Sequence, residues 1–283
     1  MEVSAGAMRL FADLLRERTG QDLALGRRWR IETALRPLLK ALGIASLDRL
    51  AAMIGDDEAL AVATVDALLN NETYFFRDPA AFRALLDDAI APAALARAAS
   101  RRLRIWCAGC STGQEVYSIA MMLAAEPARW AGWTIELTGT DICATAIAQA
   151  REGSYSGFEI QRGLPVREMM RWFEADGERW RARPELRARV RFAVCNLLDP
   201  WPLAGRFDIV LCRNLLLYLA PARRRQAFAR LAERLCPDGR LMLGAGETVL
   251  GQTALFAPDP LARGLYRPLD AATGTAPPGS AAA

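Results

Sequence analysis

Along the first 88 residues, apolar positions recur at intervals of three and four. Leu10, Phe11, Leu14 and Leu15 form one set, Trp29, Ile31, Leu35, Leu38 and Leu39 a second, and Leu60, Val62, Val65, Leu68 and Leu69 a third. Such spacing puts each set on one face of a helix. Gly20, Gly43 and Gly55 fall between the sets, where glycine ends helices. The pattern predicts an all-helical N-terminal domain over residues 1–88. An Ala-rich stretch with one proline follows and predicts a connection over residues 89–102, although its Leu and Arg content suits a helix equally.

From Leu103 the apolar runs shorten and alternate with amphipathic segments. Strands are predicted at Arg104–Ala108, Ile135–Thr140, Arg191–Cys195, Phe207–Cys212 and Arg240–Leu243, and helices at Glu115–Ala125, Ala144–Glu152 and Pro221–Leu235. Pro221 suits a first helical turn, where its missing N–H has no bond to lose. Pro237-Asp-Gly239 reads as a turn into the last strand. The alternation predicts an α/β fold with a mainly parallel, doubly wound sheet over residues 103–267. Residues 153–190 break the rhythm and predict a small insertion, while the Ala, Gly, Pro and Thr of residues 268–283 predict a disordered tail.

Candidate chemistry gathers where the strands end. The run from Leu103 to Ala108 stops at Gly109-Cys-Ser-Thr-Gly113, and Glu115 opens the next helix. A strand, a glycine turn and a helix let backbone approach a nucleotide-like ligand. A phosphate site would avoid a carboxylate at a helix N-terminus already suited to anions. Glu115 therefore favours a cationic or amine-bearing ligand, S-adenosylmethionine (AdoMet) rather than NAD or ATP. Asp141 ends the second strand and reads as an acceptor for ribose hydroxyls or as the N-cap of the following helix, two compatible roles. Asn196-Leu197-Leu198 and Cys212-Arg213-Asn214 follow the third and fourth strands, so their polar groups point to the same crevice. Tyr218 reads as the mouth of that site or as a half-buried core ring. In Asn71-Glu-Thr-Tyr-Phe-Phe-Arg77-Asp78 the paired aromatics read as core, leaving Asn71, Thr73 and Arg77 as surface or cap residues.

Composition narrows the chemistry. The 283 residues include no histidine, which removes Ser-His-Asp and Cys-His nucleophile systems, histidine bases and histidine zinc sites. Cys107 and Cys110 form a CxxC with no second pair to complete a zinc site, and read as a redox dithiol or as small apolar fillers. With no cleavable signal and no apolar run of about 20 residues, a cytoplasmic chain with reduced thiols is expected. The net charge of +4 is mild and points to local basic patches rather than a nucleic-acid coat. One patch is Arg27, Arg28, Arg30, Arg36 and Lys40, opposed by Glu32 alone; Pro37 interrupts the same segment.

In order along the chain, Asn71–Asp78, the loop Ala108–Glu115, Thr140-Asp-Ile142, Asn196–Leu198 and Cys212–Asn214 resemble the CheR family of AdoMet-dependent chemotaxis receptor glutamate O-methyltransferases. The resemblance covers roughly residues 8–267. It implies a Rossmann-like methyltransferase domain with a small β-subdomain insertion, preceded by the helical domain. It implies AdoMet contacts from Asn71, Thr73, Arg77, Glu115, Asp141, Asn196, Leu197, Arg213 and Asn214, with S-adenosylhomocysteine as product and no metal. Arg77 and Tyr218 take catalytic places at the reacting groups, and the basic helix docks on acidic helices of a methyl-accepting chemotaxis protein. A monomer without nucleic-acid binding or membrane insertion is implied. The family's usual Ser-Thr-Gly-Glu-Glu-Pro-Tyr loop here has Gln114 and Val116, and its usual Tyr-Phe pair is Tyr218-Leu219. The insertion can bind a receptor's C-terminal pentapeptide in some members; this one, with nine arginines between 161 and 191, resembles the shorter variants, and no such dependence is expected.

A glutamate acceptor, with a pKa of about 4.3, arrives deprotonated at neutral pH and needs no general base. A chain without histidine agrees with that. The alternatives are an AdoMet-dependent methyltransferase of another acceptor and a non-catalytic scaffold that senses AdoMet or its product. The Asp/Asn-Pro-Pro-aromatic motif of DNA amino-methylating enzymes is replaced here by Cys212-Arg-Asn-Leu215.

Overall fold

A computed structural model describes residues 3–22, 28–200 and 205–269. The chain forms two compact units, Met1–Asn70 with Tyr218–Arg223, and Asn71–Leu217 with Arg224–Ala283. In the first, α1 (Ala5–Thr19), α2 (Arg28–Leu42), α3 (Leu47–Ile54) and α4 (Glu58–Leu68) surround a core of Phe11, Leu15, Ile31, Leu35, Leu50, Val65 and Leu68. Those residues come from the three predicted apolar sets and from α3. Ser4, Ser46 and Asp57 cap α1, α3 and α4 by accepting from the amides of Ala7, Arg49 and Leu60, which pairs a donor that each helix start leaves open. Helix α2 continues through Pro37. The segment from Tyr218 joins this unit through a bridge between Gln21 and Leu219 and a 2.8 Å bond from Asp22 N to Tyr218 O. Arg27 and the side chain of Arg28 lie outside the described residues, as does the expected tail from residue 270 onward. Pro268, expected to start that tail, instead ends the last strand (Leu265–Pro268), and Leu269 N donates to Leu255 O.

The boundary at Asn70 corrects the expected one at residue 88, and the expected connection is largely helical. After α5 (Pro79–Ala84) come a π-helical segment (Leu85–Ile90) and α6 (Ala91–Ala96), with Pro92 in the first turn of α6. Phe82, Leu85, Ala89 and Ile90 pack into the same core as Leu103 and Ile105. The apolar face of this stretch is buried against the sheet, which is why it belongs to the second unit.

That unit continues with α7 (Gln114–Ala124), α8 (Ala144–Glu152), α9 (Gly157–Gln161), α10 (Val166–Trp172), α11 (Pro184–Arg187) and α12 (Pro221–Arg234). Its strands are β1 (Arg102–Ala108), β2 (Thr134–Asp141), β3 (Ser154–Ser156), β4 (Phe173–Asp176), β5 (Arg179–Ala182), β6 (Val190–Val194), β7 (Phe207–Cys212), β8 (Leu235–Leu243), β9 (Phe256–Pro258) and β10 (Leu265–Pro268). The main sheet has the order β6-β2-β1-β7-β8-β10-β9, parallel through β8 and antiparallel beyond it. All five predicted strands are present. β8 differs most: it starts at Leu235, and a register shift between Phe207 and Ile209 on β7 absorbs Pro237–Gly239 as strand rather than turn. β9 and β10 are too short to show a period. The break at residues 153–190 is a three-stranded antiparallel sheet, β3-β5-β4, with its short helices. Strand order reverses between β1 and β7, and the crevice beyond the carboxyl ends of such a pair is where doubly wound sheets bind ligands.

Candidate functional site

β1 ends at Ala108, and the chain folds back over the tip of β2. The N–H groups of Gly109 and Cys110 both donate to Thr140 O, at 2.8 and 2.9 Å. Gly113 then turns the chain at φ +91°, where a Cβ would lie 2.9 Å from Ala150 Cβ and 3.0 Å from the Phe192 ring. Only glycine fits there without strain, and α7 begins at the next residue. Asp141 closes the turn: its Oδ2 accepts from Ser111 N at 2.8 Å and its Oδ1 from Cys143 N at 3.0 Å. The N-cap of α8 is Cys143, which overturns the capping reading of Asp141. Its carboxylate instead ties the tips of β1 and β2 together.

The segment Asn71–Asp78 lies across this loop and α7. Ser111 Oγ donates to Asn71 O at 2.9 Å, Asn71 Nδ2 to Cys143 Sγ at 3.3 Å, and Phe76 N to Ser118 Oγ at 3.0 Å. Phe75 is the buried anchor, with the Tyr155 and Phe173 rings 5.1 and 5.5 Å away. Arg77 is half-buried, donates to Glu72 O at 3.2 Å and lies over the Tyr74 ring. Arg162 donates to Glu72 at 2.6 Å, and this hydrogen bond holds the Glu72 carboxyl below its ordinary range. Asn71 and Thr73 line a cavity of about 360 Å³ with Thr112, Gln114 and Gln149.

Arg213, at the tip of β7, spans the switch point with a side chain only 4% exposed. Its Nη1 donates to Glu115 Oε2 at 3.0 Å and its Nη2 to Arg77 O at 2.9 Å. Glu115 is therefore not the lone anion that its place in the sequence suggests. A buried guanidinium needs a carboxylate beside it, and that carboxylate still has lone pairs for an ammonium group. Arg213 Nε is buried with no hydrogen-bond partner among the described residues. Asn196 and Leu197 follow the tip of β6, where Cys195 N donates to Asp141 O at 2.9 Å; Asn196 Oδ1 accepts from Leu198 N at 3.0 Å.

Glu247 was not legible as a site residue. Its Oε2 accepts from Asn214 N at 2.7 Å and Gly244 N at 2.9 Å, and its Oε1 from Leu217 N at 3.3 Å. The signal that could have found it is the one that marked Asp141, an acid just past the carboxyl end of a parallel strand. Phe76, Asp78, Ser111 and Asn214, four of the five described non-glycine residues with positive φ, lie in these segments. Such conformations cost about 1–3 kcal/mol each and persist where surrounding contacts over-determine them. Burial pushes the thiols of Cys107, Cys110 and Cys212 well above their usual range, which favours small fillers over a redox dithiol.

In the helical unit, Asn70 Nδ2 donates to Tyr218 Oη at 2.5 Å, and the Arg30 guanidinium lies 5.7 Å from the Tyr218 ring centroid. Arg30 is thus engaged with Tyr218, while Arg36 and Lys40 are exposed on α2.

Two carboxylates, a buried guanidinium and a close backbone turn suit a ligand with an ammonium group and hydroxyls. The family model described as "CheR methyltransferase, SAM binding domain" matches residues 71–263, starting where the second unit starts. The chain is 34% identical over 90% of its length to a chemotaxis protein methyltransferase of Vibrio parahaemolyticus, of which it covers 93%. It is 33% identical over 88% of its length to chemotaxis protein methyltransferase 1 of Pseudomonas aeruginosa, of which it covers 92%. It is also 36% identical over 84% of its length to the probable biofilm formation methyltransferase WspC of Pseudomonas putida, of which it spans 55%. No helix among the described residues is long and apolar enough to cross a membrane. With a family model over most of its length and near-full-length relatives at a third identity, the chain belongs to the CheR family of AdoMet-dependent methyltransferases.

Proposed function

We propose that the protein transfers a methyl group from AdoMet to the γ-carboxylate of glutamates on the cytoplasmic helices of chemoreceptors, forming methyl esters. The observation that carries this reading is the crevice between β1 and β7, built from Glu115, Asp141 and Arg213 in a chain without histidine. When bound, AdoMet supplies an electrophilic methyl group on a sulfonium sulfur. Glu115, steadied by Arg213, presents a carboxylate to the α-amino group, and Asp141 presents acceptors to the ribose hydroxyls. Asn196, Leu197 and Asn214 frame the adenine, and Asn71 and Thr73 close over the loop. Arg77 orients the acceptor carboxylate through a charge-assisted bond. Too tight a grip would stabilise the ground-state anion and slow attack, so its task is orientation. Asn70 donates to the Tyr218 oxygen, which leaves the phenol O–H to donate a hydrogen bond to the acceptor carboxylate or at the methyl donor, without transferring its proton.

No group has to remove a proton, because the acceptor is ionised at neutral pH. The protein's contribution is positioning, for which well-oriented reactions gain up to roughly 7–11 kcal/mol. Arg36 and Lys40 are exposed on α2, which supports a docking role for them toward an acidic receptor helix. The test is transfer of labelled methyl from AdoMet to a purified receptor cytoplasmic domain. Base-labile label, absent when the receptor glutamates are replaced by glutamine, is expected. Base-stable label would establish another acceptor, and cofactor binding without transfer would establish a sensing scaffold. Running receptors of chemotaxis and of biofilm pathways side by side decides the output.

A further inference from the structure

We infer that Glu247 is a positioning residue for methyl transfer, holding the loop that carries Arg213 and Asn214 and leads into Tyr218. The inference rests on the proposed function for its kinetic consequence and on geometry alone for its structural one. After Cys212 the chain leaves β7, so the amide of Asn214, ahead of a short 3-10 turn, and that of Leu217, inside that turn (Leu216–Tyr218), lie outside the sheet. Both amides are taken by one side chain from the loop beyond β8: Glu247 Oε2 accepts from Asn214 N at 2.7 Å and Oε1 from Leu217 N at 3.3 Å.

The same carboxylate fixes its own loop by accepting Gly244 N at 2.9 Å. The two loops meet so closely that a Cβ on Gly244 would lie 2.9 Å from Asn214 N, Asn214 Nδ2 and Glu247 Oε2 alike. Asn214 sits at φ +60°, a left-handed conformation in which asparagine is a favoured non-glycine residue, and the Glu247 carboxylate holds its amide there. One oxygen serves Asn214 and the carboxylate's own loop at Gly244, and the other serves Leu217, the residue joined to Tyr218. The segment thus has a carboxylate hub, one side chain accepting from three backbone amides.

The experiment compares wild type, Glu247→Gln and Glu247→Asp. In Glu247→Gln one of the two acceptor oxygens becomes an NH₂ group facing a backbone N–H. Hydrogen exchange on the protein without cofactor should show the amides of Asn214, Leu217 and Gly244 exchanging about tenfold faster or more, the scale of losing a charge-assisted hydrogen bond. With AdoMet and receptor domain, kcat per folded molecule should fall about tenfold, with weaker AdoMet binding, and Glu247→Asp should recover part of both. A merely structural role would lower the melting temperature and leave kcat per folded molecule unchanged; that result overturns the inference. Exchange of the three amides within twofold of wild type overturns it as well. Should wild type transfer no methyl group, the functional reading fails while the exchange result still judges the hub.

Discussion

Asp141 ties two strand tips together through Ser111 N and Cys143 N, and the proposed function gives it the ribose as well. Asp141→Ala should raise the AdoMet dissociation constant by at least about tenfold, since hydrogen bonds to a charged group are worth roughly 1.5–3 kcal/mol. Calorimetric titration measures it. Tyr218→Phe separates the other role: turnover should fall while AdoMet affinity stays within about twofold of wild type. Unchanged turnover with weakened cofactor binding would reverse the assignment. Asp141 and Glu115 were legible because each follows the end of a predicted strand. The pairing of Arg213 with Glu115, 98 positions away, was not, because sequence spacing says nothing about which strand tips meet. Glu247 escaped for the same reason, its partners being set by the neighbouring strand.

At the scale of elements, the glycine turn is the least forgiving part of the fold. Gly113→Ala places a Cβ against Ala150 and Phe192 at φ +91°, and destabilisation by about 1–3 kcal/mol is expected, read as a lowered melting temperature. Periodicity found α1, α2 and α4 because each presents one apolar face, and short apolar runs found the parallel strands, of which β7 is buried at every position. It misplaced the stretch from Pro79 to Ala96, where a π-helical segment and two short helices bury scattered residues rather than a regular stripe. On α2, reversing Arg36 and Lys40 to Glu should remove most receptor methylation and leave AdoMet binding as in wild type. Equal loss of both would place these residues in folding instead of docking.

Over the molecule as a whole, acid stability follows from carboxylates held by arginines. Arg97 joins Asp208 and Asp238, each at 2.7 Å, and its hydrogen bond to Asp238 holds that carboxyl below the usual range. Glu72 is lowered in the same way by Arg162. A depressed folded pKa contributes stability above the unfolded value, near pH 4, and that contribution is lost as pH falls through the folded value. The melting temperature should therefore be nearly flat from about pH 8 to pH 5 and drop below about pH 4. Asp238→Asn should remove part of that drop, a small part because the pair is partly solvent-screened. Methyl transfer should be insensitive to pH across the neutral range, because its acceptor is already an anion.

The central claim is that the crevice between β1 and β7 holds a sulfonium methyl donor and its demethylated product. Isothermal titration of the purified protein with S-adenosylhomocysteine tests it most directly. One molecule bound per chain, with binding weakened at least about tenfold in Asp141→Ala, is the predicted result. No binding of either the donor or its product to a folded chain would contradict it.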